Sequence, residues 1–192
     1  MPQPKHLTAL RLKPAAARRL DPDMRKYLRV CQQKLGFVPN VLKAYSFDGA
    51  KLRAFVNQYN ELMLGPSGLS KLEREMLAVV VSSANHCFYC LTAHGAAVRQ
   101  LSGDPELGEL LVMNWRAAPV SRRHRALLAF AHKLTVTPAD VGEADRAALR
   151  RAGYRARDIW DAASVIGFFN FTNRLATAVD MMPNREYHRQ AR

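Results

Sequence analysis

An all-α fold is predicted, and three observations predict it. Apolar residues recur at steps of three and four along most of the chain, as they do on the buried face of a helix. Helix start and stop signals punctuate those runs at short intervals: Asp21-Pro22, Gly36, Gly65-Pro66, Ser70 with Glu73, and Gly103-Asp104. No stretch alternates apolar and polar residues as a half-buried strand does.

In chain order, residues 1–20 read as a basic, extended arm, followed by one helical domain over 21–192. Asp21-Pro22 opens a helix over 22–35, which Gly36 closes. A short helix follows Pro39-Asn40, and another spans 49–63 up to Gly65-Pro66. Ser70 and Glu73 form a capping-box pattern ahead of a helix in which Leu69, Leu72, Met76 and Val79 step by three and four. The β-branched run VVVSS, 79–83, imitates a strand but lies inside that helical pattern, which should end near Ala84. Asn85 is the expected N-cap of the next helix, Cys87 to about Leu101. Further helices fit 105–113, 121–134, 138–152 and 156–180. Short turns between them predict antiparallel packing. The redox core should occupy about 50–115, with the last long helix at 156–180.

The chain has 192 residues, 48% of them hydrophobic, enough to bury a sizeable core. No apolar run reaches the ~18 residues of a membrane span, because Asn170, Asn173 and Arg174 break the best candidate. The N-terminal stretch lacks an apolar run of signal-peptide length, so a soluble, cytoplasmic protein is expected. Net charge is +13, but the arginines are scattered in pairs with aspartates among them, without a basic stripe or interleaved aromatics. Nucleic acid is not an expected partner.

Three cysteines are an odd number, which argues against a disulfide scaffold. Two of them lie in NHCFYCLTAHG, residues 85–95, between His86 and His94. On a helix, Cys90 lies about 60° from Cys87 and His94 about 40° from Cys90, so the three share one face. That geometry suits an exchangeable dithiol over an imidazole. At a helix N-terminus the dipole favours a thiolate, and on that ground Cys87 is the more acidic thiol, unless a nearby base reverses the order. Glu75 lies in a mainly apolar segment twelve residues before Cys87. If the two helices fold back on each other it meets His94; otherwise it is a surface carboxylate balancing Lys71 or Arg74. A zinc site from His86, Cys87, Cys90 and His94 has the right ligand count, but four ligands within nine residues converge poorly on a tetrahedron. The third possibility is a pair of inert core thiols.

The spacing E-x11-C-x2-C-x3-H, made by Glu75, Cys87, Cys90 and His94, resembles that of the alkyl hydroperoxidase D group in the carboxymuconolactone decarboxylase-like superfamily. LEREMLAVVVSSANHCFYCLTAHG resembles the core helix pair of that fold, and FFNFTNRLATAVD the C-terminal helix of its peroxidase-related branch. The resemblance implies a trimeric or hexameric all-helical oligomer and a thiol-dependent peroxidase. It makes Cys90 the peroxidatic cysteine, Cys87 the resolving one, and Glu75 with His94 the proton relay. It implies a hydroperoxide substrate and a lipoyl-bearing or thioredoxin-like dithiol reductant; the sequence itself shows no Gly-rich phosphate loop and no sign of flavin, nicotinamide or haem, so no cofactor is expected. One departure stands out: the best-known members carry a second histidine where this chain has Tyr89. A phenol donates a hydrogen bond but is a poor base at neutral pH, so Tyr89 is at most an auxiliary residue.

Against this peroxidase stand a non-enzymatic thiol redox sensor or interaction protein, and the zinc site. Cys31 reads as a core residue and His132 as a packed or capping one. Phe168, Phe169 and Phe171 read as core or subunit interface, and as possible walls of a pocket for an organic peroxide.

Overall fold

A computed structural model describes residues 3–10 and 12–192; Met1, Pro2 and Arg11 of the expected arm lie outside the described residues. Among the described residues nine α-helices run α1 Pro22–Leu35, α2 Asn40–Tyr45, α3 Gly49–Tyr59, α4 Lys71–Ala84, α5 Phe88–Ser102, α6 Pro105–Asn114, α7 Arg122–Val136, α8 Glu143–Arg151 and α9 Ala156–Ala178. No strand occurs among the described residues. Two expected helices are interrupted. The 49–63 helix widens into a π-turn over Asn60–Leu64, and the 138–152 helix splits into a 3-10 turn, Pro138–Asp140, and α8. The break before α8 falls at Val141-Gly142, where Asp145 accepts the Gly142 amide and restarts the helix.

Helix α4 is the axis of the fold. Every residue from Glu73 to Ser82 is buried, and α5, α6, α7 and α9 pack around it. VVVSS is helical here because a helix enclosed on all sides needs apolar residues all round. Leu77, Val79, Val80 and Val81 are fully enclosed, each contributing roughly 1.5–3 kcal/mol of burial. The expected capping box is present: Ser70 Oγ accepts from the Glu73 amide at 3.1 Å and Glu73 accepts from the Ser70 amide at 2.8 Å. The same carboxylate accepts from Tyr154 at 2.7 Å and Arg123 at 3.2 Å, joining α4 to α7 and to the residues before α9. Arg74 is buried, and among the described residues it has no acidic partner. Its guanidinium donates to the carbonyls of Leu62 at 3.2 Å, Gly65 at 2.9 Å and Leu69 at 3.1 Å, which fixes the π-turn against α4.

Among the described residues of the N-terminal stretch, the first regular element is a 3-10 turn at Ala17–Arg19. It is strapped to the end of α9 and beyond: the Ala9 amide donates to Val179 and the Met182 amide to Leu7. The C-terminal stretch returns over the bundle. Asn184 accepts from the Asn40 amide at 2.6 Å, and the buried Arg99 donates to the carbonyls of Tyr187 at 2.9 Å and Gln190 at 3.1 Å. This clasp carries Tyr187 and Gln190 to a cavity of about 990 Å³ whose walls they share with α1, α3, α4, α5 and α9.

Candidate active site

The dithiol is set by the turn between α4 and α5. Two hydrogen bonds close it: Cys87 N–H to the Ser82 carbonyl at 3.0 Å and His86 N–H to the Ser83 carbonyl at 3.1 Å. These are the 6→1 and 5→2 bonds of a Schellman motif, and His86 takes its left-handed position with φ 52°. Asn85 therefore caps the end of α4 instead of opening α5, and Cys87 is the N-cap of α5. His86 is exposed at this turn while both thiols are buried. The four-residue zinc set does not assemble: among the described residues no three His, Cys, Asp or Glu side chains come together as a metal site.

Glu75 and His94 do come together. His94 Nδ1 lies 2.6 Å from Glu75 Oε2, and both side chains are nearly enclosed, 13% and 11% exposed. The imidazole also meets the Phe169 ring edge-on, with centroids 4.6 Å apart. With Nδ1–H given to the carboxylate, Nε2 is the proton-accepting atom. Glu75, His94 and Cys90 all line the large cavity; Cys87 does not.

All three cysteines are free thiols. The Cys87 thiol is pulled down to about 6, first by a hydrogen bond from the Cys90 thiol; the Cys90 amide, the Thr177 hydroxyl and the charge of His94 help, against the opposing effect of burial. Cys90 is pushed well above the ordinary range, because its proton is held in that same bond and because it is buried. Ser82 and Asn173 side chains adjoin the Cys90 sulfur and favour its anion. The resting charge thus sits on Cys87, in the order that the helix dipole suggests.

Tyr89 lines the same cavity, but its hydroxyl is committed to the backbone. Its hydroxyl oxygen accepts the Val41 amide of α2 at 2.9 Å, and burial pushes the phenol well above its ordinary range. Phe168 and Phe169 wall the cavity, whereas Phe171 is 55% exposed on the outer side of α9. Cys31, expected in the core, is half-buried and lines the cavity. His132 packs beside Trp115, with centroids 5.8 Å apart.

Several site residues escaped the sequence reading. Asn170 and Asn173 counted only as interruptions of an apolar run, yet amides on the buried side of a helix need partners, and that was the available signal. Tyr59 and Tyr187 also face the cavity, and burial keeps both phenols protonated and able to donate. Tyr187 lies far from any recognisable motif and reaches the cavity only through the Arg99 clasp.

The comparisons with known proteins agree with this architecture. The carboxymuconolactone decarboxylase family matches residues 50–133, which hold α4, α5 and the dithiol. A solved structure of an uncharacterized peroxidase-related protein from Silicibacter sp. TM1040 is 62% identical, covers 100% of both chains, and superposes with a TM-score of 0.94. An uncharacterized peroxidase-related protein from Ralstonia eutropha JMP134, described as an alkylhydroperoxidase AhpD core, is 36% identical over 98% of each chain, with a TM-score of 0.93. The debrominase Bmp8 shares the fold at 20% identity over 94% of this chain and 96% of its own, with a TM-score of 0.78. No curated protein matches. The fold and the helix pair around the dithiol define a member of the carboxymuconolactone decarboxylase family. Within it, the chain belongs to the alkyl hydroperoxidase D-like, peroxidase-related proteins.

Proposed function

We propose that this protein is a thiol-dependent peroxidase that reduces organic hydroperoxides. The observation that carries the reading is the Glu75–His94 pair at 2.6 Å, set in the same cavity wall as the Cys90 thiol. The cavity supports an organic substrate over hydrogen peroxide alone. It holds about 990 Å³ and is walled by Phe55, Phe168, Phe169, Leu42 and Met181, far more apolar surface than a peroxide of two oxygens needs.

Acidity favours Cys87 as the attacking sulfur and access favours Cys90. Access decides, because a sulfur sealed from the cavity cannot meet the O–O bond, whereas a proton crosses easily between two hydrogen-bonded thiols. The shared proton shifts from Cys90 to Cys87, and the Cys90 thiolate attacks the terminal oxygen of ROOH. An S–O bond forms, the O–O bond breaks, and Cys90 becomes a sulfenic acid. On ionising, Cys87 gave its own proton to Nε2 of His94, and Glu75 stabilises that imidazolium; the departing alkoxide takes this proton and leaves as ROH. Cys87 then attacks the sulfenic sulfur; its proton and the sulfenic hydroxyl leave as water, and the two sulfurs join. A dithiol reductant, lipoyl-bearing or thioredoxin-like, restores the pair and is itself oxidised. The catalytic set is Cys90, Cys87, Glu75 and His94, acting in a cytoplasmic homo-oligomer, trimeric or hexameric.

A coupled assay with an organic hydroperoxide and a dithiol reductant tests the proposal. Cys90→Ser should abolish turnover, and Cys87→Ser should consume one equivalent of peroxide and stop. Full turnover in both variants would refute the reading. A single oxidation of the unmodified chain without recycling would favour a redox sensor.

A further inference from the structure

Five of the chain's six tyrosines line the cavity that Cys90 borders. Three of them are committed elsewhere. Tyr27 donates its hydrogen to Asn60 Oδ1 at 2.9 Å, Tyr89 is held by the Val41 amide at 2.9 Å, and the Tyr45 hydroxyl is sealed from water. Tyr59 and Tyr187 differ. Among the described residues neither hydroxyl has a protein partner, and neither is sealed.

Both rings are fixed in place. Tyr59 stacks on Phe55 with centroids 6.2 Å apart and lies 6.3 Å from Phe168. Tyr187 meets Phe37 edge-on at 5.0 Å, and the buried Arg99 holds its carbonyl at 2.9 Å. Phenylalanine would satisfy all of that packing. The two phenol oxygens are therefore polar groups that the fold sets into a mainly apolar wall and leaves unpaired.

The wall is long and its opening is charged. Cys90, Ala93, His94, Ala97 and Gln100 follow one another along α5, a run of about 15 Å at the helical rise. Lys34, Glu61 and Lys71 belong to the same wall but are exposed, so they mark where it meets solvent. Lysine ion pairs among the described residues involve Lys51 and Lys133, which leaves both of these ammonium groups free. Lys71 stands one helical turn before Glu75 on the same face of α4, and Glu75 is already bonded to His94. Away from the dithiol, the cavity thus offers a ligand two phenol hydrogens and two cations, against one free carboxylate, that of Glu61.

We infer that Tyr59 and Tyr187 are specificity-determining residues whose phenols donate to the carboxylate of a hydroperoxide, with its apolar chain lying along the cavity and its O–O bond presented to Cys90. The inference rests on the peroxidase reading above and narrows its substrate class to organic hydroperoxides that bear an acidic head. An ionised carboxylate leaving bulk water needs hydrogen bonds to replace its hydration, and the two phenols supply them without breaking any bond of the fold. Lys34 and Lys71 draw such a head to the opening. Orientation follows. With the head held by the phenols, the peroxide end is left for the thiol. A hydroperoxide without that head fills the same space with both hydroxyls unpartnered.

Calorimetric titration of the intact, reduced protein with octanoate and with methyl octanoate tests this without peroxide. Octanoate should bind at least about tenfold tighter than the ester, and the margin should narrow as salt is added. Tyr59→Phe and Tyr187→Phe should each weaken octanoate about tenfold and leave the ester within about threefold. Because neither hydroxyl is bonded within the chain, both variants should keep the parent's thermal midpoint. In turnover, kcat/KM for a hydroperoxide bearing a carboxylate should exceed that for its methyl ester by about tenfold, and either variant should erase most of that preference through KM, with little change in kcat. Equal affinity for the two probes, binding of neither, or octanoate affinity unmoved in either variant overturns the inference. A chain that binds octanoate through both phenols but reduces no hydroperoxide would keep the carboxylate site and lose only the peroxidase reading.

Discussion

His94 Nδ1 and Glu75 Oε2 meet at 2.6 Å from consecutive helices, and the partner this gives the imidazole is nearly sealed from solvent. A carboxylate in that position fixes the ring and its tautomer, and it stabilises the imidazolium that the proposed reaction needs.

Glu75→Gln keeps the shape of the pair and removes its charge. Turnover with an organic hydroperoxide should fall by roughly 10²–10⁴, the usual worth of positioned acid–base catalysis, while the thermal midpoint moves little. Steady-state kinetics beside a thermal melt checks this; unchanged kcat/KM would remove Glu75 from the relay.

The dithiol should ionise in two separated steps, the first near 6 and the second well above the ordinary thiol range near 8.5. The first step has a folded value below the unfolded one. Its stabilisation is therefore full above the ordinary range and is lost as pH falls through about 6. The second step is raised on folding, so its contribution holds below the ordinary range and is lost as pH climbs further. The reduced chain should gain stability over its Cys87→Ser/Cys90→Ser double variant from pH 6 to about 8.5 and lose it again beyond. Urea unfolding of both chains across that range measures the difference.

Tyr89→Phe separates packing from catalysis. It leaves the Val41 amide without its acceptor, a loss of about 1–2 kcal/mol. Turnover per folded molecule should stay within about threefold of the parent. A drop of a hundredfold would return Tyr89 to the relay.

Arg99→Met cuts two of the bonds that hold the C-terminal stretch, at a cost of about 2 kcal/mol or more. Trypsin should then cut after Arg185 and Arg189 far faster than in the parent. Gly108→Ala should loosen the same clasp, because a methyl group there would lie 2.6 Å from Arg99 Cγ and 3.2 Å from the Gly95 carbonyl oxygen. Limited proteolysis followed by mass spectrometry reads both.

Much of this architecture is legible in the chain because its signals are local. Asp21-Pro22, Gly36 and the Ser70/Glu73 box mark helix ends where the structure has them, since caps involve neighbouring residues. The Glu75–Cys87–Cys90–His94 spacing names the four residues of the proposed site for the same reason: they lie on one helical hairpin. Two local readings failed on backbone geometry. Asn85 has the chemistry of an N-cap, but the Schellman turn uses it to end α4, and His86 holds a left-handed position that periodicity does not reveal. What stayed hidden is nonlocal. Asn173 and Tyr187 reach the site from far along the chain, and only the packing of α9 and the Arg99 clasp brings them there.

One asymmetry sets the regiochemistry of the proposed recycling. Only Cys90 of the two sulfurs borders the cavity, so an incoming reductant thiolate can reach the oxidised pair at Cys90 alone. In the proposed cycle the mixed disulfide then forms on Cys90 and Cys87 is expelled. Cys87 is also the sulfur that holds negative charge most readily, and the more acidic thiol is the better leaving group. The sulfur hidden from the substrate is thus the one best suited to depart when the reductant arrives.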